Sequence, residues 1–287
     1  MTESQPAIEH LSTEQRHPRS TGLGAMDAHA VIALMESEEH VVIDALRRAH
    51  DELTRTAEEV ASSYLCGGRI VLLGAGTPGR LAVQEVSELP ATFGVPPEQF
   101  IAFVASKAPV GPAAIAATED SIEAVRDELL AMQIGPSDVV IGIASSGRTP
   151  FVLAGVEAAM EAGAWTCGIA NCAGTPLLGA GTIGILLDTG PELLTGSTRL
   201  KAGTAQKVAL NRITTAAMVL AGRVRNNYMI EMRATNGKLR DRAIRILTDL
   251  AGLTPSDALS LLRNSDWHVG DALRTLDVRS SVSGAPR

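Results

Sequence analysis

Eighteen residues, Gly190-Pro191-Glu192-Leu193-Leu194-Thr195-Gly196-Ser197-Thr198-Arg199-Leu200-Lys201-Ala202-Gly203-Thr204-Ala205-Gln206-Lys207, gather the groups in this chain best suited to hold an anion. Turn residues open the stretch. The hydroxyls of Ser197 and Thr198, the guanidinium of Arg199 and the ammonium groups of Lys201 and Lys207 follow. Apolar periodicity over residues 208–224 predicts a helix whose amino end lies beside these cations. Unpaired N–H groups and the positive end of the helix dipole favour a phosphate or a carboxylate at such a place. A generic Ser-Thr-Arg-x-Lys reads more simply as a capped helix with solvated basic residues. The density of anion-binding groups in this stretch favours a site.

Two further segments suit the same chemistry. Gly74-Ala75-Gly76-Thr77-Pro78-Gly79 has the G-x-G-x-x-G form after a strand-like run. A dinucleotide fingerprint also needs an acidic residue about 20 positions on, and residues 93–97 contain none. The loop therefore reads as a cradle for a phosphate or a sugar, with Thr77 its hydroxyl. Ser145-Ser146-Gly147-Arg148-Thr149 presents three hydroxyls at a strand-to-helix turn, with Pro150 preset for the first helical turn. Ser145, Ser146 and Thr149 either cap that helix or wrap a phosphate without a metal. Two such loops after neighbouring strands favour a phosphorylated sugar.

The elements that must position these groups alternate. Short apolar runs at residues 69–73, 100–104, 138–143, 166–170 and 183–187 predict buried strands. Helical patterns follow the first loop through Glu88, cover residues 121–132, and cover residues 151–162. This grammar predicts an α/β fold with a parallel sheet covered on both faces, and ligands bind such sheets at the carboxyl ends of the strands. Residues 1 to about 20 read as a polar arm, and residues 25–61 as two or more helices. Beyond Val224 the pattern predicts helices over residues 225–236, 238–250 and 266–276, with another begun by Thr254 as N-cap and Pro255 at N1. The domains expected are residues 1–60 (arm and helices), 61–225 (the sugar-phosphate-binding domain) and 226–287 (a helical appendage).

Composition sets the limits. A chain of 287 residues, 45% hydrophobic but only 3% aromatic, can build a large core from Ala, Val, Leu and Ile. A net charge of −7 gives no bulk attraction to nucleic acid or to an anionic membrane, so an anionic ligand needs a local site. Cys66, Cys167 and Cys172 show no paired spacing; a disulfide framework is not expected, and Cys167, in an apolar run, reads as a buried reduced thiol. Five of the six histidines precede residue 51 without metal-ligand spacing, so no metal is assigned. The amino end lacks the apolar stretch of a signal peptide, and a cytoplasmic location is expected.

Taken together, these segments resemble the sugar isomerase (SIS) fold and, within it, the N-acetylmuramic acid 6-phosphate etherase family. The resemblance rests on Leu73-Gly74-Ala75-Gly76-Thr77 with Gly79-Arg80-Leu81, and on Ser87-Glu88-Leu89-Pro90 with Thr92-Phe93-Gly94. It continues through Glu119-Asp120-Ser121, Gly142 to Pro150, residues 190–207, and Ala234-Thr235-Asn236 with Lys238-Leu239. It runs from about Thr13 to the last helices. The glucokinase regulatory protein shares the 190–207 motif but carries two sugar-binding domains and needs about twice the length.

The resemblance implies cleavage of the lactyl ether of N-acetylmuramic acid 6-phosphate to N-acetylglucosamine 6-phosphate and D-lactate, with no cofactor or metal. Two carboxylates with separated pKa values serve that chemistry. By resemblance they are Glu88, the acid at the departing lactate, and Glu119, the base at the sugar's C2. Thr77, Ser145, Ser146, Thr149, Ser197, Arg199 and Lys201 become the substrate contacts, with Glu85 a solvated or paired neighbour of Glu88. A homodimer is likewise implied, and neither nucleic acid nor membrane is a partner. Three positions depart from the family's pattern: Pro78 stands for a serine, Val104-Ala105-Ser106-Lys107-Ala108-Pro109 replaces a glycine-rich segment, and His17 stands for an asparagine. Two rivals remain, a phosphosugar isomerase with an altered pocket and a sugar-phosphate-binding regulator without catalysis.

Overall fold

A computed structural model describes residues 8–105 and 122–283. The chain divides into two compact units, residues 1–86 with 98–217 and residues 87–97 with 218–287. In the first unit three helices, α1 (Ala28–Glu36), α2 (His40–Arg48) and α3 (His50–Leu65), lead into an alternation of strands and helices. These are β1 (Ile70–Gly74), α4 (Gly76–Phe93), β2 (Phe100–Val104), α5 (Ile122–Ala131), β3 (Val139–Ile143), α6 (Pro150–Glu161), β4 (Trp165–Ala170), α7 (Leu177–Ala180) and β5 (Ile183–Leu186). Helix α8 (Lys201–Leu220) closes the unit.

Every residue of β1 and β3 is buried, as expected of central strands covered on both faces. All pairings are parallel and the strand order is β2-β1-β3-β4-β5. One face of the sheet meets a cluster formed by Leu73, Val125, Val140, Phe151, Val152, Val156 and Leu177. At the amino ends of the two central strands Asp138 binds Arg69: one carboxylate oxygen accepts from the Arg69 backbone N–H at 2.8 Å and from Nε at 3.1 Å, and the other from Nη2 at 2.7 Å. Because β2 and β3 flank β1 on opposite sides, the chain reverses direction across the sheet between β1 and β3. Such a switch point leaves a crevice at the carboxyl ends of the strands. The two Gly-containing loops flank it.

All five expected strands are present within a residue or two. Three expectations differ. Helix α8 begins at Lys201, seven residues before the apolar period, because Ala202, Ala205, Ala209 and Leu210 already form a buried stripe of small residues. Within the segment read as a polar arm, Leu11, Thr13 and His17 are buried, and Thr13 lies 3.3 Å from the Cys172 sulfur. Cys66, Cys167 and Cys172 are free thiols. Burial pushes the Cys167 thiol up to about 12, so it stays protonated.

The third difference lies in the second unit. Residues 225–236, expected as helix, instead contain the antiparallel hairpin β6 (Val224–Arg225) and β7 (Tyr228–Met229). Its two-residue turn is Asn226-Asn227, with Asn226 at φ 56°. Asn in pairs tolerates the left-handed conformation such turns require. Helices α9 (Gly237–Ala251), α10 (Pro255–Asn264) and α11 (Val269–Ser283) then pack Ala243, Ile246, Leu247, Leu262 and Ala272 into their own core. The Asn236 side chain caps α9, and Thr254 caps α10 by accepting from the Asp257 N–H, with Pro255 at the first helical position as the sequence predicts.

Candidate functional site

The amino end of helix α8 is an anion site, but the chain fills it itself. Glu192 is 1% exposed, and its carboxylate accepts from the Lys201 N–H at 3.1 Å and the Ala202 N–H at 2.9 Å. The other two donors go to backbone carbonyls, Gly203 N–H to Thr198 and Leu200 N–H to Ser197. All four N–H groups that a helix leaves unpaired at this end are thereby satisfied. The sequence expectation of open donors at this terminus is corrected: the anion they hold is Glu192. Burial pushes its carboxyl above the ordinary range, opposed in part by those N–H groups and by the charges of Lys201 and His17.

Lys201 is likewise engaged. Its ammonium lies 3.1 Å from Glu38, which also meets His17 Nε2 at 3.1 Å and the Arg19 guanidinium at 2.9 Å. Burial acts to raise the Glu38 carboxyl. Hydrogen bonds and charge from Lys201 and His17 outweigh it and hold the group below its usual value. His17, the departure from asparagine noted in the sequence, thus has a charged partner. Arg199 differs: it is exposed, and it makes no ion pair among the described residues. Ser197 beside it is half-buried.

Arg199 opens onto a cleft of about 230 Å³ lined by Thr77, Leu81, Gly203, Thr204, Lys207 and Val208. Here the first loop meets the 190–207 motif. Gly74 permits the approach of strand end and helix, since a Cβ there would stand 2.6 Å from the Gly79 nitrogen. Across the cleft a Cβ on Gly203 would stand 3.2 Å from the Thr198 carbonyl oxygen and in ordinary contact, 3.4 Å, with the Thr77 methyl. Helix α4 starts at Gly76, so Pro78 falls in its first turn, where its missing N–H costs nothing.

In the second loop Gly147 has φ 62°, and a Cβ there would lie 2.1 Å from Thr175 Oγ1; the turn requires glycine. Thr149 is the N-cap residue of α6, but its hydroxyl makes no capping bond, which leaves it available to a ligand. Ser146 accepts from the Arg148 N–H at 3.3 Å and is half-buried. Ser145 is buried and accepts from Gln206 at 2.9 Å; Gln206 also donates to Asn171 at 2.8 Å. That network ties the second loop to helix α8.

Among the carboxylates, Glu85 is 4% exposed and bonded to Lys207 Nζ and to the Thr214 hydroxyl, each at 2.6 Å. It is the paired neighbour rather than the solvated one. Glu88, three residues on, is exposed within helix α4, which continues through Pro90 to Phe93; the expected helix end at Glu88 is absent. Its backbone carbonyl accepts from the Thr92 hydroxyl at 2.8 Å. Glu119 lies outside the described residues, as do residues 106–109 of the departing segment. Sequence reasoning missed Glu192, Glu38 and Gln206 as organising residues. Helical spacing from Glu85 and the position of Glu192 before a helix start were the available signals.

Residues 52–160 match the glucokinase regulatory protein N-terminal SIS domain family. N-acetylmuramic acid 6-phosphate etherase of Mycolicibacterium smegmatis is 39% identical over 277 residues, covering 96% of this chain and 93% of that protein. The protein of the same name from Deinococcus radiodurans is 41% identical, covering 91% of this chain and 86% of its own length. A phosphoheptose isomerase from Francisella tularensis superposes with a TM-score of 0.52 at 18% identity, covering 69% of this chain and all of that one.

Proposed function

The chain belongs to the N-acetylmuramic acid 6-phosphate etherase family, and from that premise we propose that it removes D-lactate from N-acetylmuramic acid 6-phosphate by elimination and hydration. Ring opening exposes an aldehyde at C1 and acidifies the proton on C2. A base takes that proton, and the ether oxygen on C3 leaves as lactate while an acid protonates it. Water then adds at C3 to give N-acetylglucosamine 6-phosphate. One carboxyl must be ionised while another is protonated. We assign the base to Glu119 and the acid to Glu88, which is exposed and therefore accessible to a ligand.

The observation that carries this reading is the pair of loops flanking the switch point between β1 and β3. The Thr149 hydroxyl and the half-buried Ser146 stand at the amino end of α6, where dipole and N–H groups favour a phosphate. Thr77, Ser197 and Arg199 complete the proposed contacts. Ser145 and Lys201 act from behind, through Gln206 and Glu38. Pro78 in the first turn of α4 is compatible with this, because it removes no bond the helix needs. The first loop then contributes Thr77 alone.

The reading extends to a homodimer. Its support is helix α1, which buries none of its residues although Ile32 and Met35 are apolar and exposed. Action on an amino-sugar phosphate from the cell wall, within the cytoplasm, completes the proposal. Among the described residues no helix is long and apolar enough to cross a membrane.

Water labelled with heavy oxygen tests the chemistry. Elimination and hydration place the label on C3 of N-acetylglucosamine 6-phosphate and leave lactate unlabelled. Label in the lactate would mean attack at the lactyl carbon and would exclude this mechanism.

A further inference from the structure

The substrate assigned above carries two anions, the phosphate on C6 and the carboxylate of the lactyl group. The hydroxyls of the second loop suit one of them. The cleft between α4 and α8 is lined by none of those loop residues and measures about 230 Å³, below the roughly 300–1,000 Å³ that whole small-molecule ligands occupy. It is sized for one substituent.

Its chemistry is cationic. The Arg199 guanidinium lines it without an ion pair among the described residues. Lys207 lines it from the second turn of α8. An ammonium has three donors. Two of those on Lys207 are spent on Glu85 Oε2 and Asn211 Oδ1, each at 2.6 Å, which leaves the third. Glu85 is held in turn by Thr214 at 2.6 Å, so the ammonium has a fixed position rather than a solvated range. Thr77 and Thr204 border the same space, the Thr204 hydroxyl already donating to the Leu200 carbonyl at 2.9 Å. A guanidinium fork matches a planar carboxylate in two parallel bonds, whereas the hydroxyl and N–H groups of a strand-to-helix turn match a tetrahedral phosphate.

We propose that this cleft is the subsite for the lactyl carboxylate, held by Arg199 and Lys207 with the Thr77 hydroxyl, and that Glu85 is the positioning residue for Lys207. The proposal deepens the etherase reading and rests on it. It makes the cleft the part of the site that separates a lactyl-bearing sugar phosphate from one without that group. Helix α4 carries both Thr77 and Glu85.

Three substrates give the test: N-acetylmuramic acid 6-phosphate, its lactyl methyl ester and unphosphorylated N-acetylmuramic acid. The parent protein is expected to prefer the acid over the ester by about 10- to 100-fold in kcat/KM, the range of a charge-assisted contact. In Arg199→Met and Lys207→Met that preference collapses toward one, while the preference for the phosphorylated substrate is kept. Arg199 is exposed, so its variant folds even if Lys207→Met, which strands Glu85, does not. Parent protein indifferent to the ester, or variants that lose the phosphate preference instead, would overturn the assignment. A parent protein releasing no lactate from any of the three would overturn the etherase reading itself, a separate outcome.

Discussion

Glu88→Gln is expected to slow release of D-lactate by about 10²–10⁴-fold, the usual contribution of a positioned general acid. Glu119→Gln is expected to lose a similar factor. The two are separable by the proton on C2. If Glu119 is the base, its glutamine variant stops exchange of that proton with deuterated water. Glu88→Gln continues to exchange it, because proton removal precedes departure of the lactyl oxygen. The opposite pattern would exchange the two roles, and parental rates in both variants would remove the glutamates from the chemistry. Glutamine keeps the size and helix propensity of glutamate, and Glu88 is exposed on a continuous helix. A lost rate is thus not a lost fold.

Asp138→Ala is expected to cost about 3–5 kcal/mol of stability, the range for breaking a buried ion pair and stranding its donors. Asp138 is 3% exposed and also accepts from the Gly135 N–H at 2.9 Å. Its loss leaves that donor and the Arg69 N–H unpaired at the amino ends of β1 and β3, opposite the site. The effect depends on pH. Burial acts to raise the Asp138 carboxyl, but the hydrogen bonds and charge of Arg69, with the Gly135 N–H, hold it below its ordinary value. Its stabilisation is therefore complete above the unfolded value of about 3.9 and is lost as pH falls through the lower folded value. Denaturation midpoints of parent and variant should differ most near neutrality and converge in acid. A constant gap across that range would show that the charge is not the source.

The sheet was legible in the sequence because each strand is a short apolar run set between helical patterns and polar or Gly-containing loops. The start of α8 was not. Its first turns are built on alanines, which carry no periodic apolar signal, and are capped by Glu192 from nine positions upstream. The hairpin at 224–229 is hidden by the apolar Tyr228, Met229, Ile230 and Met232, which suit a helical pattern as well as a strand; the Asn226-Asn227 pair is the signal that marks its turn. In the candidate site, the three segments singled out in the sequence fall at the first loop, at the turn made by Gly147 and at the start of α8. It could not reveal that Lys201 faces Glu38 while Lys207 faces the cleft, because both follow from packing between distant elements. The 190–207 motif therefore holds two paired cations, Lys201 with Glu38 and Lys207 with Glu85, and the exposed Arg199, which has no ion pair among the described residues.

Incubation of the purified protein with N-acetylmuramic acid 6-phosphate, with D-lactate and the sugar product assayed together, tests the central claim most directly. The expected result is D-lactate and N-acetylglucosamine 6-phosphate in equal amounts. A ketose phosphate in place of lactate, or tight binding with no turnover, would contradict it.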